Sequence, residues 1–358
     1  MDRPITIREV AEVAGVSPAT VSRVLSGSTR VNPVLRAKTL GAVERLGYRA
    51  NRVAQALRTR VTNTVGMVVP NIANPFFPVI IQAVEAELHK HDARLLLCDS
   101  ADDVAQEADL LRSLLDQQID GILLSPCDRI ASRSAVRMAA EQVPLVQIDR
   151  VAVRDLHYVG VDQEAAMAAV IAHLAEEGCR RFAYVSFSVR ASTAAERLRG
   201  YVRHVRRLDA KSAERVYSGD VSIAWGREAA LRIIQEGDLP DAVVCADDLA
   251  AVGVLESFRR EGIAVPEEVL VTGFDDTILA PALTPSLTSV RQPMEEMGRE
   301  AVQIVRSAAR GGPPPRRQLF SAELVIRESS RRARAASRRA SPYSARAQRP
   351  RSTARTAR

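Results

Sequence analysis

Short apolar runs alternate with amphipathic segments through residues 62–328, and this alternation limits the possible folds more than any other feature of the chain. The apolar runs are predicted strands at Thr64–Val69, Arg94–Cys98, Gly121–Leu124, Leu145–Ile148, Phe182–Ser186, Ala242–Cys245 and Leu270–Gly273. Helical segments lie between most of them, including Val79–Lys90, Val104–Gln117, Gln163–Glu177 and Leu249–Glu261. Such alternation predicts parallel sheets with helices on both faces. The region is too long for one compact unit, so we expect two similar lobes.

Charge is distributed unevenly along the chain. Residues 1–60 contain 11 Lys and Arg against 4 Asp and Glu, and residues 331–358 contain ten Arg and no acid. The region between them is acidic, with 29 basic and 39 acidic residues. A cationic front is typical of a head that binds a polyanion, although an ordinary solvated surface has the same composition. The Arg-rich tail, residues 331–358, has no periodicity and is predicted to be disordered.

Several classes of protein find no support in the sequence. The four cysteines form no CxxC pair, which predicts reduced thiols and no metal site. No apolar run follows Met1 and none could span a bilayer, so we expect a cytoplasmic protein without a secretory signal or membrane contact. We find no nucleophile elbow, P-loop or GxGxxG after a strand, and expect neither enzymatic activity nor a cofactor. If Asp247-Asp248 and Asp275-Asp276 lie on strands, neighbouring carboxylates face opposite ways, and neither pair predicts a hydrolase site.

Two short helices are predicted near the start of the chain. Thr6 and Glu9 fit a capping box before an amphipathic segment, and Gly15 is a suitable glycine to end it. Ser17 is a suitable N-cap for the second helix, and Pro18 suits its first position. Two short helices joined by a turn that contains glycine form a helix-turn-helix, whose second helix can enter the major groove of DNA.

The second helix supplies most of the predicted DNA contacts. Ala19 can touch a thymine methyl group, and Arg23 can bond guanine through two donors. Ser17, Thr20 and Ser22 can bond phosphates, which sets the register without reading sequence. The DNA-binding residues predicted in this region are Thr6, Ser17, Pro18, Ala19, Thr20, Ser22, Arg23, Ser26 and Arg30.

The run TIREVAEVAGVSPATVSRVLSG from Thr6 to Gly27 resembles the DNA-binding head of the lactose-repressor/galactose-repressor family. The resemblance covers about residues 5–328, including Pro70–Phe77 and Val271–Asp276. It implies a repressor that binds near-palindromic operator DNA as a homodimer and binds a small-molecule effector, such as a sugar, between two lobes. A regulator that activates, or that needs no effector, is an open alternative. A sugar-binding protein without a DNA role is a rival that the helix-turn-helix disfavours.

Residues 50–61 resemble the hinge of the same family. The resemblance implies that two hinge helices enter the minor groove and that Leu57 wedges between base pairs, with Asn51 and Ala54 beside it. A plain helical linker that packs Leu57 against the body is the alternative. Ala50 departs from the family, which commonly has Pro at that position.

The predicted fold class is α/β, with an all-α helix-turn-helix head and a periplasmic-binding-protein-like body of two doubly wound parallel-sheet lobes. We expect a DNA-binding domain at 1–49, a hinge at 50–61, an effector-binding and dimerisation body at 62–330, and the tail at 331–358. Lobe one is expected at about 62–160 and 291–319, and lobe two at about 161–290 and 320–330.

The resemblance also implies which residues bind the effector. Arg197 matches the arginine that holds effector hydroxyls or a carboxylate, a task that suits its five fixed donors. A surface salt bridge is the alternative for this residue. Asp275 matches an acid that accepts hydrogen bonds from the effector, and Asp149 and Thr193 occupy two further pocket positions.

Four other residues complete the predicted pocket. Phe76 and Phe77 match apolar positions beside the effector ring, with core packing as the alternative. Asp247 stands where the family often has Asn, and Val221 where an aromatic residue is frequent. A second carboxylate beside Asp275 favours a hydroxyl-rich or cationic effector. The predicted effector-binding residues are Phe76, Phe77, Asp149, Thr193, Arg197, Val221, Asp247 and Asp275.

Overall fold

The computed structural model describes residues 5–25, 31–48 and 61–332. Five of the predicted DNA-binding residues lie outside the described residues: Ser26, Arg30, Asn51, Ala54 and Leu57. The predicted hinge, except for Val61, and the tail after Arg332 also lie outside them.

The described part of the head contains three helices, which are α1 Ile7–Ala14, α2 Pro18–Leu25 and α3 Pro33–Leu46. The capping box is present, because the Thr6 N–H donates to Glu9 Oε2 at 2.6 Å and the Glu9 N–H donates to Thr6 Oγ1 at 3.4 Å. Gly15 ends α1 at a φ of 65°, which glycine adopts without steric cost. The helices enclose a small apolar core of Val10, Ala11, Ala14, Val21 and Ala42.

Twelve strands and eight further α-helices follow in the described part of the chain. The strands are β1 Thr64–Val69, β2 Arg94–Asp99, β3 Gly121–Leu124, β4 Leu145–Ile148, β5 His157–Val161, β6 Phe182–Phe187, β7 Val216–Gly219, β8 Ala242–Cys245, β9 Leu270–Asp275, β10 Thr288–Arg291, β11 Arg317–Phe320 and β12 Glu323–Val325. The helices are α4 Phe76–His89, α5 Val104–Asp116, α6 Arg133–Ala140, α7 Gln163–Glu176, α8 Ser192–Val205, α9 Ile223–Gln235, α10 Asp248–Arg260 and α11 Met294–Ala308.

The described residues fall into two compact units. The first contains the residues up to Val161, together with Val189–Thr193 and Pro293–Phe320. The second contains Asp162–Ser188, Ala194–Gln292 and the residues from Ser321 onward. The chain therefore passes from one unit to the other several times. The grouping of Val189–Thr193 with the first unit is a feature that the strand and helix pattern did not predict.

Each unit is built around one six-stranded sheet. The first sheet has the order β11-β5-β4-β3-β1-β2, and all its strands are parallel. The second has the order β12-β10-β9-β8-β6-β7 and is parallel except for β12, which runs antiparallel to β10. The inner strands are almost entirely buried, as expected where helices cover both faces of a sheet. The predicted fold class is confirmed.

Candidate DNA interface and ligand site

Helix α2 has one buried face and one polar face. Val21 and Val24 are buried against the rest of the head. Ser17 caps the helix, because the Thr20 N–H donates to Ser17 Oγ at 3.2 Å, and the two hydroxyl oxygens lie 3.0 Å apart. The predicted DNA contacts on α2 are exposed or half-buried: Ser17, Pro18, Ala19, Thr20, Ser22 and Arg23. Thr6, the remaining described residue of the predicted set, is half-buried within the capping box of α1.

Arg197 on α8 lies at the centre of a buried polar cluster in the second unit, and only 3% of its surface is exposed. Its Nε donates to Gln163 Oε1 at 2.8 Å and its Nη1 donates to the Ala246 carbonyl at 2.6 Å. Its Nη2 lies 3.4 Å from Asp275 Oδ1. The guanidinium carbon also stacks 3.6 Å from the ring centroid of Phe274. These contacts fix the orientation of the guanidinium, and the predicted alternative of a surface salt bridge is wrong.

Asp275 ends β9 in an uncommon backbone conformation. Its φ is 102°, and the φ of the next residue, Asp276, is 47°. Gln292, which directly follows β10, donates from Nε2 to Asp275 Oδ1 at 2.7 Å. The carboxylate of Asp275 is buried between this amide and the guanidinium of Arg197. It is therefore oriented in advance of any ligand.

Asp247 and Asp248 lie at the start of α10 and not on a strand, so the argument that neighbouring strand carboxylates face opposite ways does not apply to this pair. Asp247 is the N-cap of α10 and accepts from the Ala250 N–H at 2.8 Å, while Asp248 is the first residue of the helix. The local sequence favours this arrangement, because aspartate is a preferred helix N-cap. Both carboxylates are buried, and burial raises the pKa of each, that of Asp248 to about 7. The two acids therefore occupy different environments.

The predicted residues of the second unit share one edge of its sheet. Arg197 follows β6, Val221 follows β7, Asp247 follows β8 and Asp275 ends β9. Because these strands are parallel, their carboxyl ends meet at the same edge, where open α/β sheets bind their ligands. The structure brings Arg197 and Asp275 into direct contact. Val221 is half-buried in the loop between β7 and α9.

The first unit carries the other predicted effector residues. Phe76 and Phe77 begin α4, are buried and meet edge to face, with ring centroids 5.1 Å apart. Asp149 directly follows β4 at a φ of 63°, and its carbonyl accepts from the Tyr158 hydroxyl at 2.8 Å. Thr193 is buried as the second residue of α8. Mutual packing of the two phenylalanines is what core residues would show, and their contact with an effector stays a prediction.

Comparison with known proteins decides the family. Residues 6–51 match the model of bacterial regulatory proteins of the lacI family, and residues 171–330 match a periplasmic binding protein-like domain. Catabolite control protein A of Priestia megaterium is 31% identical over 304 residues, which is 84% of this chain and 91% of that protein. The chain belongs to the lacI family. It is thus a transcriptional regulator with a helix-turn-helix head and a periplasmic-binding-protein-like body.

Solved structures of other transcriptional regulators share this fold. The lac repressor dimer bound to operator and the anti-inducer ONPF has a TM-score of 0.84 and 24% identity, covering 92% of this chain and 99% of that chain. The complex of transcriptional regulator CelR with cellobiose has a TM-score of 0.68 and 32% identity, covering 91% of this chain and 100% of that chain.

Four features of the cluster around Arg197 and Asp275 were missed in the sequence. They are Gln163, the Ala246 carbonyl and Gln292, which contact Arg197 or Asp275, and Asp248, which contacts the turn after β9. The position of Gln292 directly after β10 was the available signal, because it places this residue at the same sheet edge. The described residues contain no group of three or more His, Cys, Asp or Glu suited to a metal ion. None of the helices among them is long and apolar enough to cross a membrane.

Proposed function

We propose that this lacI-family chain is a homodimeric repressor of near-palindromic operator DNA, whose operator affinity changes when a sugar or sugar-like effector binds. One observation carries the proposal: the same chain holds a capped helix with an exposed polar face and a buried Arg-Asp cluster at a sheet edge suited to ligands. The first feature fits DNA and the second fits a small polar molecule. We propose the domain limits given above for these parts.

The DNA-reading part is α2. Arg23 and Ala19 lie on its exposed face and are proposed to meet base edges in the major groove. Ser17, Thr20 and Ser22 are proposed to bond phosphates. The hinge residues Asn51, Ala54 and Leu57 are proposed to enter the minor groove. The lac repressor, which shares this fold, is a dimer on its operator, and protein two-fold symmetry requires a symmetric site.

The chemistry of the second unit favours a ligand rich in hydroxyl groups. Asp275 and Asp247 supply buried acceptors, and Arg197 supplies fixed donors beside them. A hydroxyl group both donates and accepts, so it satisfies both kinds of partner, whereas an anion would be repelled by two carboxylates. CelR, at 32% identity, has been solved with the disaccharide cellobiose. Phe76, Phe77, Asp149, Thr193 and Val221 are proposed further contacts.

The edge of the first sheet supports the homodimer. Strand β2 lies at the end of the sheet, and its leucines Leu95, Leu96 and Leu97 are only half-buried. A groove beside Leu95 and Leu97 is also lined by Ile81 and Ala86 of α4, whereas Leu96 packs against the core of the first unit. An apolar strand edge is prone to unwanted pairing unless another surface covers it, and a second copy of the chain would do so. We place the regulator in the cytoplasm, with its DNA target, and assign it no catalytic activity.

The test combines selection of DNA with a screen of effectors. The full chain is first used to select binding sites from random DNA, and we expect a near-palindrome bound in the nanomolar range at physiological salt. Labelled operator is then titrated in the presence of a panel of sugars and nucleosides. One member should change the operator affinity at least tenfold and be recovered chemically unchanged. If the protein shows no preference for any DNA sequence, the proposal that it represses a specific operator is refuted. A specific operator that no compound affects would instead favour the effector-free alternative.

A further inference from the structure

We propose that Asp248 is a positioning residue of the effector site: its buried carboxylate holds the turn of Asp275, Asp276 and Thr277 in the conformation that directs Asp275 toward Arg197 and the effector. The inference rests on the proposed effector function. The carboxylate of Asp248 bonds Thr277 and Ser289, neither of which is a predicted pocket residue.

The turn needs an external hold. Asp275 and Asp276 follow one another at φ values of 102° and 47°, a region that residues other than glycine rarely adopt. Such conformations cost about 1–3 kcal/mol each and persist only where the surroundings impose them. A relaxed turn would move the Asp275 carboxylate away from the guanidinium of Arg197.

Asp248 supplies that hold from the first turn of α10. Its Oδ2 accepts from the Thr277 N–H at 2.6 Å and from the Thr277 hydroxyl at 2.9 Å. Its Oδ1 accepts from the Ser289 hydroxyl at 2.6 Å, and Ser289 Oγ in turn accepts from the Asp276 N–H at 3.0 Å. The backbone of two of the three turn residues is thus fastened, directly or through one hydroxyl, to a single carboxylate.

A second set of contacts separates the two acids of the turn. The Asp276 carboxylate pairs with Arg291 at 2.8 Å and with Arg327 at 2.6 Å. The Asp275 carboxylate accepts a hydrogen bond from the Gln292 amide and lies beside the guanidinium of Arg197. Because the Asp276 carboxylate pairs with two other arginines, Asp275 is the acid of the turn that contacts Arg197.

Asp248 is packed tightly between the start of α10 and strand β9. Only 1% of the surface of Asp248 is exposed, and a Cβ at Gly273 on β9 would overlap its Oδ1. Desolvation by burial is the main cause that raises the pKa of Asp248 to about 7; the charge of Asp247 acts in the same direction, and the hydrogen bonds from Ser289 and Thr277 oppose it. Burial of this acid has a free-energy cost that an apolar residue would avoid. A role for the carboxylate in holding the turn accounts for its presence.

The first test needs no effector. Hydrogen–deuterium exchange of the full-length protein is compared between the parent, Asp248→Asn and the control Ser212→Ala. Ser212 is also buried in the second unit; its hydroxyl accepts from the Phe182 N–H and donates to the Asp209 carboxylate, so its removal reports general loosening. We expect faster exchange in the peptide that spans 275–277 for Asp248→Asn alone. Equal exchange of this peptide in all three proteins would overturn the proposal even if effector binding were established.

The second test is a double-mutant cycle on ligand affinity. Calorimetry is performed with a panel of cellobiose, lactose, ribose and adenosine on the parent, Asp248→Asn, Asp275→Asn and the double variant. For whichever compound the parent binds, we expect about a tenfold loss for Asp248→Asn. No further loss should occur when Asp275 is already replaced. Losses that multiply would mean that Asp248 acts independently of Asp275, and the proposal would fail.

Two further outcomes are distinguishable. If the parent binds no compound of the panel, the proposed sugar effector fails, while the exchange measurement still decides the role of Asp248. If Asp248→Asn does not fold, Ser289→Ala takes its place, because it removes only the hydroxyl that links Asp248 to the Asp276 N–H. We then expect the same non-additivity with Asp275→Asn at a smaller loss of affinity.

Discussion

The two polar surfaces of this regulator are built in opposite ways. Ser17, the N-cap of α2, and Arg23 within the helix are exposed, while the buried Val21 and Val24 pack α2 against the rest of the head. In the second unit, Arg197 and Asp275 are buried, and each is held by several partners. The side chains on α2 stay hydrated, whereas those of the Arg197–Asp275 cluster are already desolvated before a ligand binds.

The difference reflects what each surface is proposed to bind. A DNA duplex is a large polyanion whose charge supplies much of the affinity, so exposed side chains are sufficient to read it. A small neutral ligand offers few contacts, and its affinity depends on donors and acceptors that are already oriented and desolvated. Substitutions should therefore have larger effects in the buried cluster than on α2, and this expectation can be tested.

The largest effect is expected for Arg197→Ala. The substitution leaves the buried Asp275 without its cation, and breaking a buried ion pair costs about 3–5 kcal/mol. We expect at least a hundredfold loss of effector affinity by calorimetry and a lower melting temperature. Arg199→Ala, on the same helix but exposed, is the matched control and should change neither quantity appreciably. If the two variants lose effector affinity and melting temperature to the same extent, the expected difference between buried and exposed polar groups is wrong.

A smaller effect is expected for Arg23→Ala on α2. Loss of a base contact costs about 1–3 kcal/mol and should relax the preference at one operator position. The measurement is a repeated selection from random DNA, together with a titration of the parental operator. Arg45→Ala on α3 removes the same charge from the head and should weaken binding without altering the preferred sequence. An unchanged base preference in Arg23→Ala would contradict the contact.

Ser17 tests whether the cap and the DNA contact can be separated. Ser17→Ala should destabilise the head by about 1 kcal/mol, because the Thr20 N–H loses its acceptor. Ser17→Asp retains a capping oxygen, so thermal stability should be preserved, while repulsion from phosphates weakens operator binding. Melting curves and operator titrations of the two variants check this. If both variants lose stability alike, the hydroxyl acts through something other than the cap.

The smallest effect is expected for pH. His173 Nε2 lies 2.7 Å from Ser330 Oγ in the second unit, and burial lowers the pKa of this histidine. The unfolded chain therefore takes up the proton first on acidification, so stability should fall as pH drops below about 6.5. Melting at pH 7.5 and 5.5 should show a smaller loss for His173→Gln than for the parent. No histidine occurs in residues 1–60, so the head should be insensitive to this change.

Much of the fold could be predicted from periodicity. All seven predicted strands are present, because buried parallel strands are continuous apolar runs. Strands β7, β11 and β12 were missed, since edge positions tolerate polar residues such as Arg317, Gln318 and Glu323. The short strands β5 and β10 were missed as well.

The site was predictable at the level of its main side chains, but the supporting contacts were not. Resemblance to the lactose-repressor/galactose-repressor family predicted Arg197 and Asp275, which the structure brings together. The positive φ values of Asp275 and Asp276 depend on contacts with α10 and β10, which no local pattern encodes. Gln163 and Gln292 approach the cluster from segments that are distant in sequence.

The last strand of the first sheet has a consequence for how the protein is made. Strand β11 pairs with β5 through residues such as Arg317 and Tyr158, although nearly all of the second unit lies between them in the chain. On the ribosome, one side of β5 must therefore stay uncovered until β11 has been translated. A nascent or prematurely terminated chain that ends before Arg317 would present this open strand to chaperones and proteases.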